Sequence, residues 1–239
     1  MLLDIEGTTT PIAFVYDVLF PYARAHLREY LQAHAGTSDV SDAVRALRAE
    51  RAADSAPADD SLPEWREESH DAELESLAAY AEWLMERDRK SPGLKLLQGK
   101  VWEGGYSDGT LRGEVFRDVP PAFERWRRVG IEIAIYSSGS ALAQRLLFST
   151  TAYGDLTRLV SGFFDTSVGP KQSPDSYRRI ATAMRRAPRG VLFVSDVVAE
   201  LVAAREAGLT TALCVRPGNA ERAMDEDTPV LATFDEIVA

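Results

Sequence analysis

Cysteine is almost missing from this chain. Cys214 stands alone, so no disulfide can close within the sequence, and a reducing cytoplasm is the expected home. Long apolar runs are missing as well. None approaches the roughly 18 residues that a membrane-spanning helix needs. The opening Met1-Leu2-Leu3-Asp4 has no basic segment followed by an apolar stretch, so no secretory leader is expected. Basic charge is in deficit: 27 Lys and Arg against 37 Asp and Glu give a formal charge of -10. That balance excludes nucleic acid and anionic membranes as partners, since both require a basic face. A phosphorylated small molecule remains possible if local donors or a metal hold it. His26, His34 and His70 form no zinc-ligand pattern and read as surface residues. No Gly-x-Gly-x-x-Gly follows a strand-like run, which removes the dinucleotide fingerprint. Gly93 and Gly99-Lys100 resemble a phosphate loop, but the glycines lie one residue too far apart and Val101 replaces the required Ser or Thr.

What is present divides into two patterns. From about residue 117 onward, short apolar runs alternate with amphipathic segments. Ile131 to Tyr136, Leu159 to Phe164, Val191 to Ser195, Thr210 to Val215 and a short edge run from Val230 to Phe234 read as strands. Helices are expected near 120–129, 140–149, 174–186 and 197–207. Such alternation implies βαβ units and a parallel sheet, and the almost wholly apolar runs imply cover on both faces. Residues 15–114 read differently. Tyr22 to Gln32, Val40 to Ala53, Ala72 to Arg89 and Leu94 to Trp102 favour helix, and Ala53 to His70, acidic and containing two prolines, favours a loop. The tryptophans at 65, 83, 102 and 126 read as packing. The expected fold is therefore an α/β, Rossmann-like, doubly wound parallel core from residues 1–14 and 115–239, with a helical cap inserted at 15–114.

Chemistry in doubly wound sheets lies beyond the carboxyl ends of the strands. The polar residues at those ends are Asp4, Ser137-Ser138 and Asp196. Asp4 and Glu6 share one face of an extended chain, so both carboxylates can enter one site. An aspartate there can attack phosphorus while a second acid protonates the leaving alkoxide. A solvated strand-end turn is the plainer alternative. Ser137-Ser138-Gly139-Ser140 opens a helix, and its hydroxyls and amides suit an anion; an ordinary serine cap is the alternative. Lys171, just before a helix capped by Ser173, can neutralise a carboxylate and a phosphoryl oxygen together. Asp196 suits Mg²⁺, which takes oxygen ligands, or it caps the helix at 197–207. Glu200, one turn further on, reads as a supporting residue.

The order of these strand ends resembles the haloacid dehalogenase superfamily, and longer runs are similar to its enolase-phosphatase (acireductone synthase) family. They are Asp4-Ile5-Glu6-Gly7-Thr8-Thr9-Thr10-Pro11-Ile12, Val18-Leu19-Phe20-Pro21-Tyr22, Trp102-Glu103-Gly104-Gly105-Tyr106, Asp118-Val119-Pro120-Pro121, Tyr136-Ser137-Ser138-Gly139-Ser140 and Gly162-Phe163-Phe164-Asp165-Thr166. Glu6 narrows the match, because most of the superfamily has aspartate there. The resemblance spans nearly the whole chain and is weakest at residues 36–70. It implies enolisation and dephosphorylation of 2,3-diketo-5-methylthiopentyl-1-phosphate in methionine salvage, with one Mg²⁺ and no organic cofactor. Asp4 would be nucleophile and metal ligand, Glu6 a ligand through its carbonyl with its carboxylate free for proton transfer, and Asp196 the remaining protein ligand. Ser137, Ser138 and Lys171 would hold the phosphoryl group. The enolisation base would be Glu6 or a cap residue, and the protein a monomer. Another phosphatase of the superfamily, acting on a sugar phosphate or phosphoglycolate, is the alternative enzyme. A dehalogenase would leave Glu6 without a purpose, and a binding protein on a decayed fold would not keep every residue type the chemistry needs.

Overall fold

The computed structural model describes residues 1–34, 36–54, 62–87, 89–219 and 228–237. Contacts divide the chain into two compact units, Met1–Tyr16 with Arg112–Ala239, and Asp17–Leu111.

The first unit opens with strand β1 (Leu2–Leu3), and a π-helical turn at Phe14–Leu19 follows. The second unit then supplies four helices: α1 (Phe20–His34), α2 (Ser38–Ala53), α3 (His70–Glu86) and α4 (Pro92–Ser107). The first unit resumes with α5 (Val119–Arg128), β2 (Ala134–Tyr136), α6 (Ala141–Ser149), β3 (Gly162–Phe164) and α7 (Pro174–Ala183). It ends with β4 (Leu192–Ser195), α8 (Val198–Glu206), β5 (Thr210–Cys214) and β6 (Val230–Leu231).

The six strands form one parallel sheet in the order β3-β2-β1-β4-β5-β6. This is the α/β, doubly wound arrangement that alternating apolar runs imply. Leu3 pairs with Ile135 on one side and Val194 on the other, which sets the strand ends level. Leu2, Tyr136, Tyr177, Ile180, Phe193 and Leu213 belong to one buried cluster around the sheet. On α5, Val119, Ala122, Phe123 and Trp126 lie on one face and are wholly buried. Each such large side chain stabilises the unit by about 1.5–3 kcal/mol.

Several boundaries differ from the sequence pattern for local reasons. The run Ile131 to Tyr136 joins the ladder only at Ala134, because the Ile131 amide is taken by the Trp126 carbonyl at 2.9 Å. Residues Thr157–Leu159 form a 3₁₀ turn before β3. Only Val230–Leu231 of the last run is strand, because a capping box between Thr233 and Glu236 starts a 3₁₀ turn.

In the second unit α2 packs on α4, and α1 on α3 and α4. Leu27, Leu31, Leu47, Leu77 and Leu97 form its fully buried centre. Helix α4 continues past Trp102 through Gly104-Gly105, where propensity alone would end it. A side chain at Gly105 would meet the Tyr22 ring within 2.5 Å, so close packing requires glycine there. Of the expected 53–70 loop, residues 55–61 lie outside the described residues. Asp54 is anchored by Tyr80, 2.6 Å away, and by both Arg89 terminal nitrogens at 2.9 and 2.8 Å. Among the described residues no helix is long and apolar enough to cross a membrane.

Candidate active site

The sheet reverses at β1: β2 and β3 step outward on one side, and β4 returns to pair with the other side of β1. Ligands of such sheets bind outside the carboxyl ends of the strands that flank this switch. Asp4 directly follows β1 and Asp196 directly follows β4, and the Asp4 amide donates to the Val194 carbonyl at 3.0 Å. After Asp4 the chain turns sharply. The amides of Thr8, Thr9 and Thr10 converge on the Ile5 carbonyl at 3.1, 2.9 and 2.9 Å, and the Gly7 amide donates to the Thr10 carbonyl at 2.8 Å. Thr9 Oγ1 donates to the Asp4 carbonyl at 3.1 Å. The Thr8 and Thr10 hydroxyls are buried and have no hydrogen-bond partner among the described residues. Gly7 has φ +70°, and a Cβ there would lie 2.8 Å from Asp196 Oδ2 and 2.9 Å from Asn219 Oδ1. Glycine is required on both counts. The same contacts place the Asp196 carboxylate against the loop that carries Asp4 and Glu6.

Three buried side chains interlock behind Asp4. Lys171 Nζ donates to Asp4 Oδ1 at 2.5 Å and stands 2.7 Å from Glu200 Oε2. Ser195 Oγ lies 3.2 Å from Asp4 Oδ2 and 3.1 Å from Glu200 Oε2, and it accepts the Val197 amide at 3.1 Å. A serine has one proton to donate, so it serves one carboxylate at a time. Burial acts against the Lys171 ammonium, but the charges of Asp4 and Glu200 outweigh it and hold Lys171 above the ordinary lysine range. Burial, reinforced by the Asp4 charge, pushes Glu200 up to about 7, with Lys171 and Ser195 opposing. The loop after β3 aims Lys171. Tyr177 donates to its carbonyl at 2.7 Å, Ser176 to the Pro170 carbonyl at 2.8 Å, and Tyr136 to the Gly169 carbonyl at 2.8 Å.

The remaining sites meet the sequence expectations unevenly. Glu6 is half-buried and bridges to Thr10 through its backbone. Ser137 is buried, its hydroxyl accepting the Gly139 amide at 3.0 Å, whereas Ser138 is exposed. At the start of α6 the Ala143 amide is taken by Ser140 and the Ala141 amide by Asp165. The helix end therefore has fewer amides to offer an anion than its serines suggest. The cap position of α8 is held by Val197 and not by Asp196, and the Val197 amide is satisfied by Ser195. Ser173 precedes α7 without a side-chain cap, since backbone bonds from Ser173 to Pro170 and from Ser176 to Ser173 hold that turn.

Lys171 is paired with Asp4 and Glu200, and Asp196 is buried beside the loop that carries Asp4, so the described site holds an excess of buried carboxylates that favours a cation. Among the described residues no three His, Cys, Asp or Glu side chains gather as a metal cluster. A metal here would rest on two carboxylates and a backbone carbonyl, with the remaining ligands from solvent or substrate. That donor set fits Mg²⁺ and does not fit a structural zinc site.

Sequence reasoning missed the role of Ser195, hidden as the last residue of an apolar strand, and understated Glu200. It also passed over Arg216 and Asn219, although their polar turn follows an apolar strand end just as Asp4 and Asp196 do.

The family model of haloacid dehalogenase-like hydrolases matches residues 1–208. Over 99% of its length the chain is 48% identical to the enolase-phosphatase E1 of Synechococcus elongatus, covering 96% of that protein. It is 46% identical to the enolase-phosphatase E1 of Sorangium cellulosum, again over 99% of this chain and 96% of the relative. The solved structure of the UTR4 protein of Saccharomyces cerevisiae superposes with a TM-score of 0.77 at 33% identity, covering 99% of this chain and 98% of that one. Likeness of this depth runs through both units as well as the strand ends, and the chain belongs to the enolase-phosphatase E1 family of haloacid dehalogenase-like hydrolases.

Proposed function

We propose that this chain is a bifunctional, Mg²⁺-dependent enolase-phosphatase of methionine salvage. It would convert 2,3-diketo-5-methylthiopentyl-1-phosphate to 1,2-dihydroxy-3-keto-5-methylthiopentene and phosphate, acting as a cytoplasmic monomer. The observation that carries this reading is the buried Asp4 carboxylate, held by Lys171 and Ser195 at the switch point of the sheet in a chain of this family.

Asp4 attacks phosphorus and the bond to the substrate oxygen breaks, leaving an aspartyl-phosphate and a released enol. Lys171 and Ser195 fix the orientation of the Asp4 carboxylate before attack, so little reorganisation is needed at the reacting step. The Glu6 carboxyl protonates the departing oxygen. As carboxylate it then takes a proton from the water that hydrolyses the acyl phosphate. Lys171, Ser137 and Ser138 hold the phosphoryl oxygens. Asp4, Asp196 and the Glu6 carbonyl would hold Mg²⁺, which when bound offsets the charge of nucleophile and phosphoryl group. Enolisation comes first and removes a proton from carbon; Glu6 or a residue of the helical unit takes it.

The test is to follow the diketo phosphate with wild type and Asp4→Asn. Wild type should show the enol before phosphate appears, and only with Mg²⁺. Asp4→Asn should lose phosphate release by at least about 10³-fold. Phosphate release that survives the substitution rejects the covalent route, and release without an enol rejects the bifunctional reading.

A further inference from the structure

The turn after β5 takes no part in the reaction as derived, yet it reaches the loop that carries the nucleophile. Arg216 is buried between the rings of Phe116 and Phe234, at 4.5 and 4.7 Å. Its Nη1 stands 2.8 Å from Asp118 Oδ2 and donates to the Ala232 carbonyl at 3.0 Å. Its Nε donates to the Thr8 carbonyl at 3.1 Å. Three residues later, Asn219 Nδ2 donates to the Gly7 carbonyl at 2.9 Å and the Cys214 carbonyl at 3.3 Å. Two carbonyl acceptors fix the orientation of that amide, so Oδ1 is the atom turned toward Gly7 beside Asp196.

The internal bonds of the loop use the Ile5 and Thr10 carbonyls as acceptors. The carbonyls of Gly7 and Thr8 are left to face outward, and Asn219 and Arg216 take one each. We propose that Arg216 and Asn219 are positioning residues of the phosphatase site, clamping the Gly7 and Thr8 carbonyls and so setting the course of the loop that bears Asp4 and Glu6. The inference rests on the proposed phosphatase reading. A nucleophile displaced by about 1 Å can lose about 10²-fold in rate, so such a clamp acts on turnover and hardly on affinity. Lysine at position 216 would keep a charge beside Asp118. Its single ammonium on a flexible stem cannot reproduce the fork that serves Thr8, Ala232 and Asp118 together.

The experiment compares wild type, Asn219→Ala and Arg216→Lys by two measurements: Mg²⁺-dependent hydrolysis of p-nitrophenyl phosphate and amide hydrogen exchange. Each variant should lose about 10- to 100-fold in kcat with KM changed less than about 3-fold. Exchange at Thr8, Thr9 and Thr10 should quicken about 10-fold while the β4 and β5 amides keep their rates. Wild-type exchange in the loop overturns the clamp, as does unchanged kcat. Exchange that quickens equally across the sheet reduces both residues to a general structural role. Wild type inert toward the ester with Mg²⁺ would count against the phosphatase reading itself, and loop exchange would still decide whether the clamp exists.

Discussion

Lys171 is shared by two carboxylates, and that sharing governs what substitution does. Lys171→Met would leave Asp4 and Glu200 facing one another in a buried site with no counter-charge. The expected loss is about 3–5 kcal/mol, read from the protection of the β1 and β4 amides in urea at pH 8 in EDTA, and part of it should return near pH 5, where Glu200 takes up a proton. Glu200 has its own signature. Its carboxyl is raised from 4.5 to about 7, so the folded state keeps a proton that the unfolded chain has released. The stability this gives is fully present below about pH 4.5 and is lost as pH rises through about 7. Glu200→Gln should therefore flatten the pH dependence of unfolding between those limits, and a slope like that of wild type would refute the assignment. Asp4 and Asp196 stand out in the sequence because each follows an apolar run with a charge, whereas Lys171, in a polar loop before α7, is marked only by its place ahead of a helix. Ser195 was not legible: it lies 191 residues from Asp4, and only the parallel pairing of β1 with β4 brings the two hydroxyl and carboxylate groups together.

The loop after β1 works as an element because one residue in it can have no side chain. Gly7→Ala would require a positive φ and would drive a Cβ within 2.8 Å of Asp196 Oδ2 and 2.9 Å of Asn219 Oδ1. Strain of that kind costs about 1–3 kcal/mol. Calorimetric titration should also show weaker Mg²⁺ binding, since Asp196 must move to admit the methyl group. Unaltered Mg²⁺ affinity would mean that the Asp196 carboxylate is not held at the loop. The elements themselves were readable where periodicity was long and uniform, as in the buried face of α5. They were less so where a distant contact overrides local preference. The Gly104-Gly105 pair points to a helix end, yet α4 continues because Gly105 lies against Tyr22. The π-helical turn at Phe14–Leu19 has no distinguishing pattern in an apolar stretch.

At the scale of the whole molecule, an acidic chain buries Asp4 and Glu200 on one ammonium and Asp196 beside the same loop, and this arrangement ties stability to a cation. A ligand bound only by the folded state stabilises it by RT ln(1 + [L]/Kd), about 2.7 kcal/mol at a hundredfold excess over Kd. Because the described chain forms two units, a single unfolding midpoint would mix their responses. Hydrogen exchange separates them. Adding Mg²⁺ to the EDTA-treated protein should slow exchange of the β1 and β4 amides by up to about 100-fold, the rate equivalent of that stabilisation. The amides of α2 and α3, whose unit holds none of the proposed ligands, should not respond. Asp196→Asn removes one of the two carboxylates offered to the metal and should abolish the effect, leaving Lys171 bound to Asp4 and the sheet intact. If the variant responded to Mg²⁺ as wild type does, the metal would have to rest on other groups and Asp196 would not be one of its ligands.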